Sequence, residues 1–500
     1  MHALKTPAFL RPSSRPSSPL PTPTPAPVRN DIDLAVEQRP ARPLTKLALT
    51  HFSRKPSPAP TRSVTPSTLV QDGSYLESLS LKLSEAVTKA LAQPSNAVVP
   101  GDVLNGKRPI PTGRGQALGE LISSELQASQ GNVHLQRAIL RLLHRPLSVL
   151  ITNLSALLLP LISSTAFLMP PSPTVQLPNP NATQAHALAV AGFAGELLDC
   201  LDGLDLDASH DHRGDGLNSF REGLISLIGR VANPLIGGIK GDVLPLIQAL
   251  ESVHPHSLTS ALTKSGGSGS KPSSHQHPSV MSLQALIPIY AKALGRYTAS
   301  KSMQSTLATF LISVIWHALV ALSHRPSVSR SRSNSVSALS AASSNNTFKK
   351  RMASDARVLY DLLILLPKPS PTNNTNRVAR EAVDEAFESL AALSALLGAV
   401  DGGADLREDF DLELLTDGLS PLIALPVLLR WSGHGEPQVI TAMLGIDEHE
   451  YRNGCLSGFG RADECATMVA ERMLDILRND TTDDPKTKIV VKYLEGSIAR

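Results

Sequence analysis

Cysteine and aromatic residues are scarce in this chain, and each scarcity excludes something. Three cysteines among 500 residues, Cys200, Cys455 and Cys465, are too few for a disulfide framework or a four-cysteine zinc site. They fit a reducing compartment. Aromatic residues make up only 4% of the chain, which argues against modules that read nucleic-acid bases by stacking. Strand-like alternation is nearly missing; the best example, Lys488–Tyr493 (KIVVKY), fits the end of a last helix equally well. Met1–Leu10 shows no apolar stretch followed by small residues, so no secretory signal is expected. There is no Gly-x-Ser-x-Gly elbow, no His-Glu-x-x-His and no dinucleotide fingerprint, so the common hydrolase, zinc-protease and nicotinamide chemistries have no motif to stand on.

Charge of one sign is also thin over most of the length. The net charge is +3, but residues 1–64 hold ten Lys/Arg against Asp31, Asp33 and Glu37, a balance of +7, which leaves −4 for the remaining 436 residues. The basic excess therefore belongs to a tail, and no specific nucleic-acid site is expected from it. The tail itself, with runs such as Pro21-Thr-Pro-Thr-Pro-Ala-Pro27, cannot bury enough apolar area to offset the entropy of ordering. Its first 30 residues contain Arg and Ser and no acid, as a mitochondrial presequence does, but seven prolines between Pro7 and Pro25 break the helix such a presequence needs.

What is present is leucine, alanine, isoleucine and valine within a hydrophobic fraction of 42%, and these arrive with helical spacing. Phe220, Leu224, Ile225, Leu227, Ile228 and Val231 share one face. So do Val378, Ala382, Val383, Phe387, Leu390, Leu393 and Leu397, with Asn376 placed as an N-cap and Gly402–Gly403 as a stop. Cys465, Met468, Val469, Met473, Ile476 and Leu477 make a third face. The expected fold is all-α, either an irregular helical bundle or a HEAT/armadillo-like solenoid, with a disordered N-terminal tail and internal linkers. The solenoid reading comes from proline followed by aliphatics at Pro160, Pro245, Pro288 and Pro421, spaced near multiples of about 43 residues. It assumes that each proline sits early in a helix; a similar phrase at Pro234 falls outside the spacing. Composition divides the chain into a Ser/Pro/Arg-rich tail (1–68), a helical region (69–264), a flexible linker (265–280), a helical segment (281–325), a Ser/Arg-rich loop (326–349) and a C-terminal helical region (350–500).

Leu147–Met169 is a run of 23 residues without a charge, flanked by Arg141 and Arg145, and Ser305–Ser323 is a shorter one. The first has the length of a bilayer span, but it contains Asn153 and has Pro160 in its middle. Two buried helices meeting near Pro160 account for it as well.

The most specific trace of site chemistry is Asp211–Glu222 (DHRGDGLNSFRE), which resembles an EF-hand calcium loop. The resemblance implies Asp211, Asp215, Ser219 and Glu222 as ligands and Gly216 as the turn. Arg213 stands where another acidic or amide ligand belongs, and Asn218 replaces an aliphatic residue. The expectation is accordingly an acidic surface loop and no resident metal or cofactor. Gly101–Arg108 (GDVLNGKR) approaches the phosphate-loop pattern, but Arg108 replaces the magnesium-holding hydroxyl, and Pro109 and Pro111 stand where a helix should start. It is expected to be a linker. The pairs His210/His212, His254/His256 and His275/His277 lack helical ligand spacing and are expected to be solvated loop histidines.

Ser18, Ser57, Thr65 and Ser370 each precede proline, and Ser333 and Ser335 each lie three residues after an arginine. Kinases reach such sites in unstructured chain, and a phosphate there recruits Arg-rich surfaces. Phe348-Lys-Lys-Arg351 has the composition of a weak nuclear address. Taken together the sequence suggests a non-catalytic, cytoplasmic or nuclear helical scaffold that binds unidentified protein partners and is regulated by phosphorylation. The alternative is a membrane-associated or organellar, for example mitochondrial, helical protein that uses 147–169.

Overall fold

Leucine and alanine at spacings of three and four residues give helix throughout. A computed structural model describes residues 68–93, 103–171, 180–204, 217–252, 276–326, 352–371, 374–401, 409–434, 438–479 and 484–499. Among these the fold is all-α and no strand occurs. In chain order the helices are α1 (Thr68–Leu91), α2 (Arg114–Ala128), α3 (Val133–Ile162), α4 (Ala182–Asp202), α5 (Asn218–Gln248), α6 (Pro278–Tyr297), α7 (Gln304–Ser323), α8 (352–363), α9 (Asn374–Asp401), α10 (Asp409–Thr416), α11 (Pro421–Ser432), α12 (Gln438–Leu444), α13 (Glu448–Glu450), α14 (Phe459–Asn479) and α15 (Pro485–Ala499). The strand-like KIVVKY segment lies within α15.

Several helix starts follow from capping chemistry. The Asn132 side chain accepts from the His134 and Leu135 amides to open α3, and Asn181 with Gln184 forms a reciprocal capping box on α4. The start of α2 is built differently. Gly113, with φ of 84°, offers no side chain, and the exposed amides are taken by a carboxylate from another helix. Glu196 on α4 accepts from the N–H groups of Gly113 (2.8 Å), Gly115 (3.0 Å) and Gln116 (3.4 Å). A negative charge at a helix N-terminus also meets the positive end of the helix dipole. The two helices can approach this closely because α2 carries glycines at 115 and 119. A Cβ on Gly119 would lie 2.4 Å from the Cys200 Cβ, and one on Gly115 would lie 2.2 Å from the Phe193 carbonyl oxygen.

One contiguous apolar core runs from Leu79 on α1 to Leu494 on α15. Its centre is α7, which is apolar on nearly all sides and packs against α5, α9 and α11. α3 buries a single stripe, Ile139, Leu143, Leu147, Leu150, Leu154 and Leu158, against α1, α4 and α5. Both α3 and residues 301–323 are long and apolar enough to cross a membrane. In this fold each lends part of its surface to the core. The expected break near Pro160 is not there: α3 continues through Pro146 and Pro160 to Ile162.

The prolines do not mark equivalent places. Pro421 is the first residue of α11, but Pro160, Pro234, Pro245 and Pro288 lie inside helices. All four of these interior prolines are exposed. A carbonyl that loses its helical donor to proline can then turn outward to water, which makes the interior position tolerable. The 43-residue unit read from them therefore has no structural counterpart in helix position. Other sequence expectations need smaller corrections. Asn376 lies inside α9, which begins at Asn374; it is buried, and its Nδ2 donates to the Lys301 carbonyl instead of capping. Ile225, Val378 and Met468 are exposed members of otherwise buried faces, because each sits at the margin of its stripe where no neighbouring helix covers it.

Candidate functional site

Most of the residues singled out from sequence lie outside the described ones, and those that are described sit on separate elements. Asp211 and Asp215 lie outside the described residues. Ser219 and Glu222 lie on the exposed first turns of α5. Among the described residues no group of three or more His, Cys, Asp or Glu is gathered for a metal. Ser18, Ser57, Thr65, Ser333 and Ser335 are also outside the described residues. Ser370 is exposed between α8 and α9, and its backbone N–H donates to Gln304 Oε1 at 2.9 Å. In the phosphate-loop-like segment, Leu104 and Lys107 exchange two backbone hydrogen bonds across Asn105 (φ 51°) and Gly106 (φ 76°). This is a tight primed turn, and the next helix begins only at Arg114, so no helix N-terminus points at a phosphate there. His277 departs from the expectation of a solvated histidine. It is buried, its Nδ1 accepts from the Ser279 amide to cap α6, and its Nε2 lies 3.2 Å from the Ser252 carbonyl.

A polar centre lies where the ends of α5 and α7 meet α12, α13 and a π turn (Tyr451–Cys455). In the π turn the Leu456 N–H reaches the Tyr451 carbonyl, and such five-residue turns recur at functional sites. Trp316 on α7 fixes its exit. The indole Nε1 donates to the Leu456 carbonyl at 2.7 Å, and the ring lies 4.6 Å from Phe459. Arg452 fixes its start by pairing both guanidinium nitrogens with Glu251 and its Nε with Glu448 at 3.0 Å. Behind this centre, Arg325 and Asp355 form an ion pair of 2.8 Å with both side chains nearly inaccessible to solvent. Asp355 also accepts from the His277 amide, and Arg430 donates to the carbonyls of Ser323 and Arg325.

A cavity of about 290 Å³ opens at this centre, walled by Glu251, His324, Glu448, Tyr451 and Arg452 among others. His324 Nδ1 faces the Val320 carbonyl at 3.2 Å. Nδ1 also lies 2.9 Å from the Ser323 hydroxyl, which can donate to it or accept from it. Burial, with the Arg452 and Arg430 guanidiniums, pushes the His324 pKa down from 6.5 to about 3. Burial raises the Tyr451 phenol above its ordinary value. The neighbouring Cys455 thiol is pushed up to about 11 by burial and by Cys465. At neutral pH the imidazole is neutral, the phenol protonated and the thiol un-ionised. These states suit hydrogen-bond recognition and supply no activated nucleophile or poised acid–base pair. Little in the residue pattern announces this centre. His324 and Pro326 sit at a boundary between an apolar run and a polar loop, Glu251 closes a helix, and Tyr451 and Arg452 lie in a stretch without period.

A second concavity is apolar and open. The end of α3, the turn that follows it, α5 and the start of α7 enclose a groove of about 950 Å³. Phe167 and Met303 form its floor; Leu168 and Ile225 stand exposed on its walls, and Arg230 and Asn233 lie at its edge. No protein-family model matches the chain, and no curated protein or solved structure matches it either.

Proposed function

We propose that the chain is a non-catalytic helical scaffold or adaptor that binds another protein through its helical surface, with the α3/α5 groove as the docking place. The observation that carries this reading is the groove itself: open, floored by Phe167 and Met303, with Leu168 61% and Ile225 45% exposed on its walls. Exposed apolar residues gathered around one concavity are what a protein ligand buries. The partner that fits is an amphipathic helix presenting aliphatic side chains to the floor and a carboxylate to Arg230.

A photo-crosslinking side chain placed at Ser226 of the full chain, on the groove wall, tests this in cells. A discrete protein adduct is expected. It should disappear with Ile225→Glu and persist with Leu81→Glu, an exposed leucine on α1 remote in sequence from the groove. An adduct indifferent to Ile225→Glu, or lost equally with Leu81→Glu, removes the groove from the mechanism.

A further inference from the structure

The leucine stripe of α3 is spent on α1, α4 and α5, and the opposite side of the helix has a pattern of its own. Over 30 residues α3 contains no aspartate or glutamate. Opposite the stripe, Arg137, Arg141 and Arg145 stand exposed at intervals of four residues. The same side then runs on without charge through Val149, Thr152, Ala156 and Leu159, all exposed. Val149 is 49% and Leu159 61% open to solvent. One face is thus basic at its start and apolar beyond. We propose that this face lies on a lipid bilayer containing anionic phospholipid, with the arginines among the headgroups and Val149, Ala156 and Leu159 at the boundary with the acyl chains. It is distinct from the protein-docking groove, whose floor is Phe167 and Met303.

Charge and polar satisfaction both select a bilayer. Anionic headgroups attract a row of arginines and are indifferent to their exact spacing, and long arginine stems reach the headgroups while the backbone sits deeper. A nucleic acid calls for basic residues along the whole face, but none follows Arg145 on α3. The hydroxyls on this side are already satisfied by their own helix. Ser148 Oγ donates to the His144 carbonyl at 2.7 Å, Thr152 Oγ1 to that of Ser148 at 2.9 Å, and Ser163 Oγ to that of Leu159 at 2.8 Å. Such hydroxyls lose little on leaving water. Depth is limited from two sides. The buried stripe cannot turn to lipid without dismantling the core, and Pro160 supplies no N–H to the Ala156 carbonyl, which keeps water within reach of the face. The helix therefore lies along the surface and does not cross the bilayer.

The test is flotation of the full chain with phosphatidylcholine vesicles, with and without phosphatidylserine. Flotation is expected only with phosphatidylserine. It should weaken at least about tenfold in Arg137→Gln/Arg145→Gln, and likewise in Leu159→Asp, with circular dichroism checking that each variant keeps its helices. Contact is read separately by placing tryptophan at Ala156 and using brominated lipid as the quencher. Ala156→Trp should gain quenching over the wild type, whereas Leu81→Trp on α1 should not. Absence of flotation in the wild type overturns the proposal. So does flotation unchanged in the arginine variant, which would assign binding to the basic residues of 1–64. Equal flotation on phosphatidylcholine alone removes the role of the arginines, and an unquenched Ala156→Trp removes the face; either result overturns it. A dimer that forms without vesicles and dissociates with Leu159→Asp would make the face a protein interface and overturn it as well.

Discussion

Burying His324 as a neutral ring couples folding to acid. Its pKa is about 3 in the fold against an ordinary 6.5. Between those values the unfolded chain binds a proton that the folded chain refuses, so the contribution to stability is intact above about pH 6.5 and is lost as pH falls toward 3. The slope approaches about 1.4 kcal/mol per pH unit for one proton. The groups that face the ring are the Arg452 and Arg430 guanidiniums, which stay charged throughout this range, and Tyr451, which stays protonated. Urea denaturation at pH 7 and pH 5 should therefore show wild type losing about 2 kcal/mol more than His324→Phe over that step. Equal losses would mean that the ring titrates normally and is not sealed in.

At the scale of the element, α3 shows how an apolar run divides its duties. Leu158 is 1% exposed and belongs to the stripe that meets α1, α4 and α5, whereas Leu159 is 61% exposed. Leu158→Ala should cost about 2–5 kcal/mol through lost burial and a residual cavity. Leu159→Ala should cost under about 0.5 kcal/mol, as surface changes do. Thermal or chemical melts of the two variants make the comparison. Equal, negligible effects in protein that is extracted only with detergent would instead favour the membrane reading of 147–169.

The same helix shows what sequence pattern conveys. Three- and four-residue spacing identified the buried faces of α5, α9 and α14, because one-sided burial and helical period are a single fact. The ends and interruptions were less legible. Pro160 looked like a boundary, yet an exposed proline is compatible with a continuing helix. Asn376 looked like a cap, yet its amide serves the Lys301 carbonyl from another part of the chain. The polar centre was invisible for a related reason: Glu251, His324 and Tyr451 come from three distant stretches, and only tertiary packing brings them to one cavity. Local motifs such as GDVLNGKR were visible without being sites, since a turn and a phosphate loop share glycine and lysine.

For the molecule as a whole, contacts that are distant in sequence tie the C-terminal helices to the central ones. Arg452 holds Glu251 across 201 residues, and Trp316 holds the Leu456 carbonyl across 140. Arg452→Met should leave the Glu251 carboxylate, which is half-buried, without its fork and loosen the π turn before the core. Amide hydrogen exchange is expected to speed up around Tyr451–Cys455 and at the end of α5, with α3 and α4 unchanged. Uniform acceleration across all helices would show that the link supports the entire fold and not one seam.

The carboxylate that opens α2 carries an implication for the chain's order of manufacture. Gly113, Gly115 and Gln116 receive their acceptor from Glu196, some 80 residues farther along. At about 5–20 residues per second, a ribosome delivers that acceptor roughly 4 to 16 seconds after the amides it serves. During that interval the first turn of α2 has only water to satisfy it, and its two glycines lower its own preference for helix. The cap on the first turn of α2 is thus completed only once α4 has emerged and docked along it.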